Sequence, residues 1–152
     1  METGLLHLHS LLRWIVLVLL VVAIFRHLTA GNRIFNATDK KLGLFLLICC
    51  DLMLAIGFYQ WFTGPLGLKN INLLGMKEVM SDSIYRFFAA EHFAGMFIAI
   101  VLVHVGRSFA KKSTPDTVKH QRTLVFFLLS LLIILVSTPW PFREVGFGRG
   151  WF

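Results

Sequence analysis

Cysteine is nearly missing from this chain. Cys49 and Cys50 are adjacent, sit inside an apolar run, and form no CxxC. Neighbouring cysteines seldom close a disulfide, so neither a disulfide framework nor a thiolate site for zinc or iron–sulfur is expected. Copper handling finds no support either, because no CxxC or Met-x-x-Met accompanies the scattered methionines. GxGxxG, GxxxxGKS/T and GxSxG are all lacking, which removes nucleotide binding, phosphate cradling and nucleophilic hydrolysis from consideration. The GFGRG run, Gly146 to Gly150, has no strand and helix around it to give it meaning. No basic leader precedes a small-residue cleavage site, so a cleaved signal peptide is not expected. What the chain has in quantity is hydrocarbon: 57% of its 152 residues are hydrophobic, and the mean hydropathy is +0.73. Apolar residues in such long runs point to a membrane bundle, read here as one integral membrane domain over residues 1–152.

Four spanning segments can be drawn, each needing about 20 mostly apolar residues. They run roughly over 5–28, 42–62, 85–109 and 123–138, and Pro139 and Pro141 end the last one. The expected fold is an all-α transmembrane four-helix up-down bundle. The first connection and its flanks hold Arg26, Arg33, Lys40 and Lys41; the third holds Arg107, Lys111, Lys112, Lys119 and Arg122. Only Asp39 and Asp116 oppose them. On the other side Arg13, Lys69, Lys77, Arg86, Arg143 and Arg149 are nearly balanced by Glu2, Glu78, Asp82, Glu91 and Glu144. The positive-inside rule then puts the first and third connections in the cytoplasm of a bacterial inner membrane and both termini outside. The net charge of +7 is thereby explained by the lipid bilayer, without nucleic acid. The second connection is long, and Leu73, Met76, Met80, Ile84 and Phe87 recur in it at helical spacing, which predicts a short helix lying flat on the outer surface. It is read as a passive interfacial helix ahead of a lid.

Ionisable side chains inside such spans are costly and therefore functional candidates. His92 shares one side of the third span with Gly95, Met96, Ala99 and Val103, a slim face suited to a flat cofactor or a neighbouring helix. His9, in the first span, lies at a similar outer depth. Two imidazoles on facing helices are how membrane b-type cytochromes hold haem iron, so His9 and His92 are the candidate metal pair. Arg13 and Arg86 could meet propionates. A histidine can equally hydrogen-bond across to a neighbouring helix, and spacing does not decide between the two. His92 and His104 are about 120° out of phase and cannot face one cofactor. His27, which shares the stripe of His9, gathers with His104 and His120 in the inner half or at its edge, and His104 and His120 are candidates for a second haem. Asp51, near mid-span with no partner on its own helix, is a proton-relay carboxyl, a partner for a histidine, or a side chain hydrogen-bonded to a neighbouring helix. Glu91 is expected to pair with Arg86 or Lys77, ahead of a role in quinol deprotonation. Ser130 and Ser137 mark interhelical hydrogen bonds.

Three stretches carry a resemblance: HLHSLLRW (His7 to Trp14), RFFAAEHFAGM (Arg86 to Met96) and KHQRTLVFFLLSLLIILVSTPWPF (Lys119 to Phe142), with a closing GRGWF. With them the chain resembles a family of small bacterial four-helix membrane proteins labelled cytochrome b. The resemblance implies His9, His92 and His120 as positions of interest. Asp51 stands where it implies a histidine in the second helix. The resulting expectation is a haem b protein passing electrons between quinol and a respiratory partner. The alternative is a non-catalytic subunit or assembly factor of a respiratory complex without its own haem. A small ion transporter is a third reading, which lacks the inverted repeat or broken helices of such folds.

Overall fold

The computed structural model describes residues 2–146, 148 and 151, with side chains from Gly4 onward. Met1, Phe147, Arg149, Gly150 and Phe152 lie outside the described residues, and so do the side chains of Glu2 and Thr3. Arg149 and Glu2 of the charge count and most of the closing GRGWF are among these.

The described chain is all-helical. In order it forms α1 (Glu2–Leu28), α2 (Ala37–Thr63), the short α3 (Leu68–Leu74), α4 (Met76–Ser81) and α5 (Ser83–Arg86), a π-helical turn (Phe87–Glu91), α6 (His92–Ser108) and α7 (Asp116–Ser137). Four helical stretches are long and apolar enough to cross a membrane, the architecture of a multi-pass membrane protein.

Two helices begin earlier than hydropathy alone places them. Asn36 Oδ1 accepts from the Thr38 and Asp39 amides, while Asp39 Oδ2 accepts from the Asn36 amide. That reciprocal cap starts α2 at Ala37 rather than 42. Pro115 precedes α7, and Lys119 Nζ pairs with Asp116 at 2.9 Å across its first turn. The polar residues 116–122 are therefore helical although they do not resemble lipid-facing sequence. The second connection departs from a single flat helix. Gly75, with φ of +85°, breaks it between α3 and α4, and Asp82 caps α5 through the Ile84 and Tyr85 amides. Leu73, Met76, Met80 and Ile84 remain exposed, as an interfacial segment requires, whereas Phe87, the last of the expected stripe, is buried in the π turn.

The long helices pack in a ring, α1 on α2, α2 on α6, α6 on α7 and α7 on α1. Neighbours are antiparallel: Gly57 late in α2 lies 3.4 Å (from its Cβ position) from His9 early in α1, and Gly95 early in α6 meets Ser137 at the end of α7. The core is filled by Val16, Leu20, Leu46, Cys50, Ala99, Val103, Phe127 and Ile134. Val18, Phe25, Phe45 and Val136 point outward, each more than half exposed, so the helices are apolar on both faces. Lipid is as apolar as the core, so packing and hydrogen bonding must hold such helices together. The α6–α7 contact illustrates this. A Cβ on Gly95 would sit 2.1 Å from Ser137 Oγ, and one on Gly106 2.9 Å from the Phe127 ring. Ser130 Oγ donates to the Ala99 carbonyl (2.9 Å) and Thr123 Oγ1 to the Gly106 carbonyl (3.1 Å).

Near its C-terminus the described chain returns to the middle of α1. The Trp151 carbonyl accepts from Arg13 Nη2 at 2.5 Å and from Trp14 Nε1 at 3.0 Å.

Candidate functional site

The His9 end of the bundle contains a cavity of about 690 Å³. Its walls come from α1, α2, the start of the second connection, α6 and the end of α7, and both His9 and His92 line it. Their ring centres are 6.5 Å apart, with the planes at 64°. Local structure sets the position of His92. Immediately before it the helix widens to a π turn, in which the His92 amide bonds back to the Phe87 carbonyl. Such single π turns recur at functional sites because the extra residue turns the side chains that follow. Trp61 Nε1 of α2 donates to the Ala89 carbonyl within this turn at 3.0 Å. Arg86 Nε and Glu91 Oε1, five residues apart, bridge it on the outside at 2.7 Å.

The two imidazoles differ in their partners. His92 Nδ1 lies 2.7 Å from the Ser137 carbonyl, so it is the protonated nitrogen and the lone pair is on Nε2. The Met53 backbone lies near the His9 ring, yet His9 Nδ1 is buried without a hydrogen bond. Arg13, one turn further along α1, also lines the cavity. Its guanidinium carbon stands 5.7 Å from the Trp14 ring centre and 5.8 Å from that of Trp140, and its Nε is buried without a partner. Phe88, Phe93, Met96, Ile100 and Ile134 supply apolar wall.

Arg86 stands apart from this group. Besides Glu91, its Nη1 donates to the Met80 carbonyl at 3.2 Å, and it is not a wall residue. Glu91 is paired as the sequence suggests, with Arg86 rather than Lys77.

At the opposite end a second pair of histidines meets. His120 Nε2–H donates to the Arg33 carbonyl at 3.1 Å, which leaves its Nδ1 to accept from His27 Nδ1–H at 2.8 Å. Phe35 stacks on His27, with ring centres 5.5 Å apart. Beside them Asp39, 2% exposed, takes Arg26 Nε at 2.8 Å and both terminal nitrogens of Arg33 at 2.8 and 3.0 Å. Asp39 raises the Arg33 pKa above its ordinary value, chiefly by accepting its hydrogen bonds. Ligand atoms of His27, Asp39 and His120 lie within 4.8 Å of one another. A dication there would have to displace two guanidiniums from the carboxylate and break the imidazole–imidazole bond. The cluster is a hydrogen-bonded knot joining α1, the first connection, α2 and α7.

His104 and His120 are not brought together. His104 Nε2 bonds Asp51 Oδ1 at 2.8 Å, and among the described residues no hydrogen bond or ring contact links it to His120. His7 is exposed. The sequence reading missed the His27–His120 bond, the π turn and the return of Trp151 to Arg13. The first had a visible signal: His27 occupies the stripe of His9 and is flanked by the basic residues that bind Asp39. The π turn had none that hydropathy could register.

No family model matches this chain, and comparison with curated proteins and with solved structures finds no significant match.

Proposed function

We propose that this is an electron-transfer protein of membrane b-type cytochrome kind, with a haem b held between His9 and His92. In this reading it exchanges electrons with quinol or a respiratory partner in the bacterial inner membrane. The observation that carries the reading is the two imidazoles 6.5 Å apart on a cavity of about 690 Å³. Imidazoles that ligate one metal from opposite sides at about 2 Å each have ring centres roughly 6 to 7 Å apart. The cavity lies within the roughly 300–1,000 Å³ typical of cofactor pockets. The unpartnered nitrogen of His9 fits a ligand role as well.

Haem bound there would supply one-electron chemistry, and the protein's part is to hold it and tune it. The Ser137 carbonyl fixes the tautomer and orientation of His92 and raises its basicity. Arg13 offers a guanidinium edge to a propionate, steadied by Trp14, Trp140 and the Trp151 carbonyl. Phe88, Phe93 and Ile134, which line the cavity, would keep water from a group bound there. In this reading the excess of Lys and Arg around the His27 end supports a cytoplasmic position for that end, with the His9 cavity and both termini facing outward.

The test is the visible spectrum of the purified protein, oxidised and dithionite-reduced. Sharp Soret and alpha bands that vanish in His92→Ala support the reading. A colourless protein after haem supplementation, or bands that survive the substitution, ends it. A second reading is a non-catalytic subunit or assembly factor of a respiratory complex. The direct His27–His120 and His92–Ser137 ties favour it, being the interhelical bonds such a scaffold needs. Purification within a larger complex, without pigment of its own, would support it.

A further inference from the structure

Asp51 of α2 and His104 of α6 form a hydrogen-bonded pair on the outside of the bundle. Their side chains are each 48% exposed. Glu91, another exposed carboxylate within a spanning stretch, lies nearer its N-terminal end and is paired with Arg86. The depth of the Asp51–His104 pair makes its exposure costly. Asp51 is eight residues beyond Gly43, about 12 Å along the helix, and Gly43 is the level at which α2 packs on Arg107. In a hydrocarbon layer about 30 Å thick, that is close to the middle. Such groups almost always face protein or water rather than lipid.

We propose that the α2–α6 face is the interface of a homodimer, closed by a four-membered ring of hydrogen bonds between two Asp51–His104 pairs. The argument is one of complementarity. Within one chain His104 Nε2 uses Asp51 Oδ1, so Asp51 Oδ2 and His104 Nδ1 have no partner among the described residues. A two-fold axis beside the pair brings the Nδ1 of each copy to the Oδ2 of the other, since in an isologous contact residue i meets j and j meets i. Each pair carries one acidic and one basic group, so the ring closes without net charge when both are ionised. The flanking residues suit the same contact. Leu44, Ile48, Asp51 and Ala55 form one exposed stripe on α2, and Phe97, Val101 and His104 form another on α6. Their spacings of three and four residues are those of helices that pack side by side.

The experiment counts copies in a bilayer and maps the contact. Single-molecule photobleaching of labelled protein in dilute lipid vesicles is expected to show two steps. Asp51→Leu with His104→Leu is expected to weaken association roughly ten- to a hundredfold, the loss of two interhelical hydrogen bonds in lipid, with helicity by circular dichroism unchanged. Independently, on oxidation of native membranes with copper phenanthroline, Ile48→Cys and Val101→Cys are expected to give disulfide-linked homodimers, whereas Val136→Cys on α7 is not. The proposal is overturned by one-step bleaching of the wild type or by a double variant that dimerises as tightly. Capture of a different protein by Cys at 48 or 101, in place of a second copy, also overturns it.

Discussion

Each end of the bundle brings together two histidines from different helices, and the two pairs are in opposite chemical situations. At the His27 end the imidazoles bond each other at 2.8 Å, Phe35 stacks on the ring of His27, and the Arg33 carbonyl and Asp39 complete a closed knot. At the His9 end the rings stand 6.5 Å apart on a cavity, one anchored to a backbone carbonyl and the other with a buried nitrogen that bonds nothing. The residue type is shared; the difference is in what surrounds it. Where polar neighbours satisfy a histidine it holds helices together; at the cavity, His9 Nδ1 is the buried nitrogen on which the proposed ligand role rests.

The largest expected effect breaks this comparison directly. His92→Ala should remove all haem absorbance, while His120→Ala should leave the bands in place and lower thermal stability by about 1–2 kcal/mol. Equal loss of pigment in both variants would erase the distinction between the two ends. Next comes Asp39→Ala, which strips Arg26, Arg33 and the Asn36 cap of their shared partner. The carboxylate is buried but the arginine side chains are each 32% exposed, so the cost should be about 2–4 kcal/mol, read as a lower Tm in detergent with the spectrum unchanged.

Gly95→Ala tests how the cavity end is built. The new Cβ falls 2.1 Å from Ser137 Oγ and 2.8 Å from its Cβ, so α6 and α7 must part. The expected cost is about 1–3 kcal/mol, with shifted bands because the Ser137 carbonyl holds His92; an unshifted spectrum would deny that link. The smallest effect belongs to Glu91→Gln. Its pair with Arg86 is exposed on both sides, so stability should change by less than about 0.5 kcal/mol.

The legible parts of this molecule were those that hydropathy and charge encode. The four spans, their basic edges and the buried stripe of Met96, Ala99 and Val103 on α6 follow from composition and a 3.6-residue period. The pairing of His9 with His92 followed from equal depth. Depth does not fix direction around a helix axis, which is why His120 could be set beside His104 on paper while its ring points to His27. The early starts of α2 and α7 were hidden because capping and an Asp116–Lys119 pair, not hydrophobicity, begin those helices. Asp51 was recognisable as anomalous, but its partner on α6 lies 53 residues away, and the period of one helix carries no information about the rotation of another.

The central claim is that the cavity pair, and not the closed pair, grips iron. Electron paramagnetic resonance of the oxidised, haem-loaded protein tests it most directly. A low-spin ferric signal of two imidazole ligands should be present in the wild type and in His27→Ala and His120→Ala, and lost in His9→Ala and His92→Ala. A signal that survives both substitutions at the cavity and disappears with His27 or His120 would contradict the account.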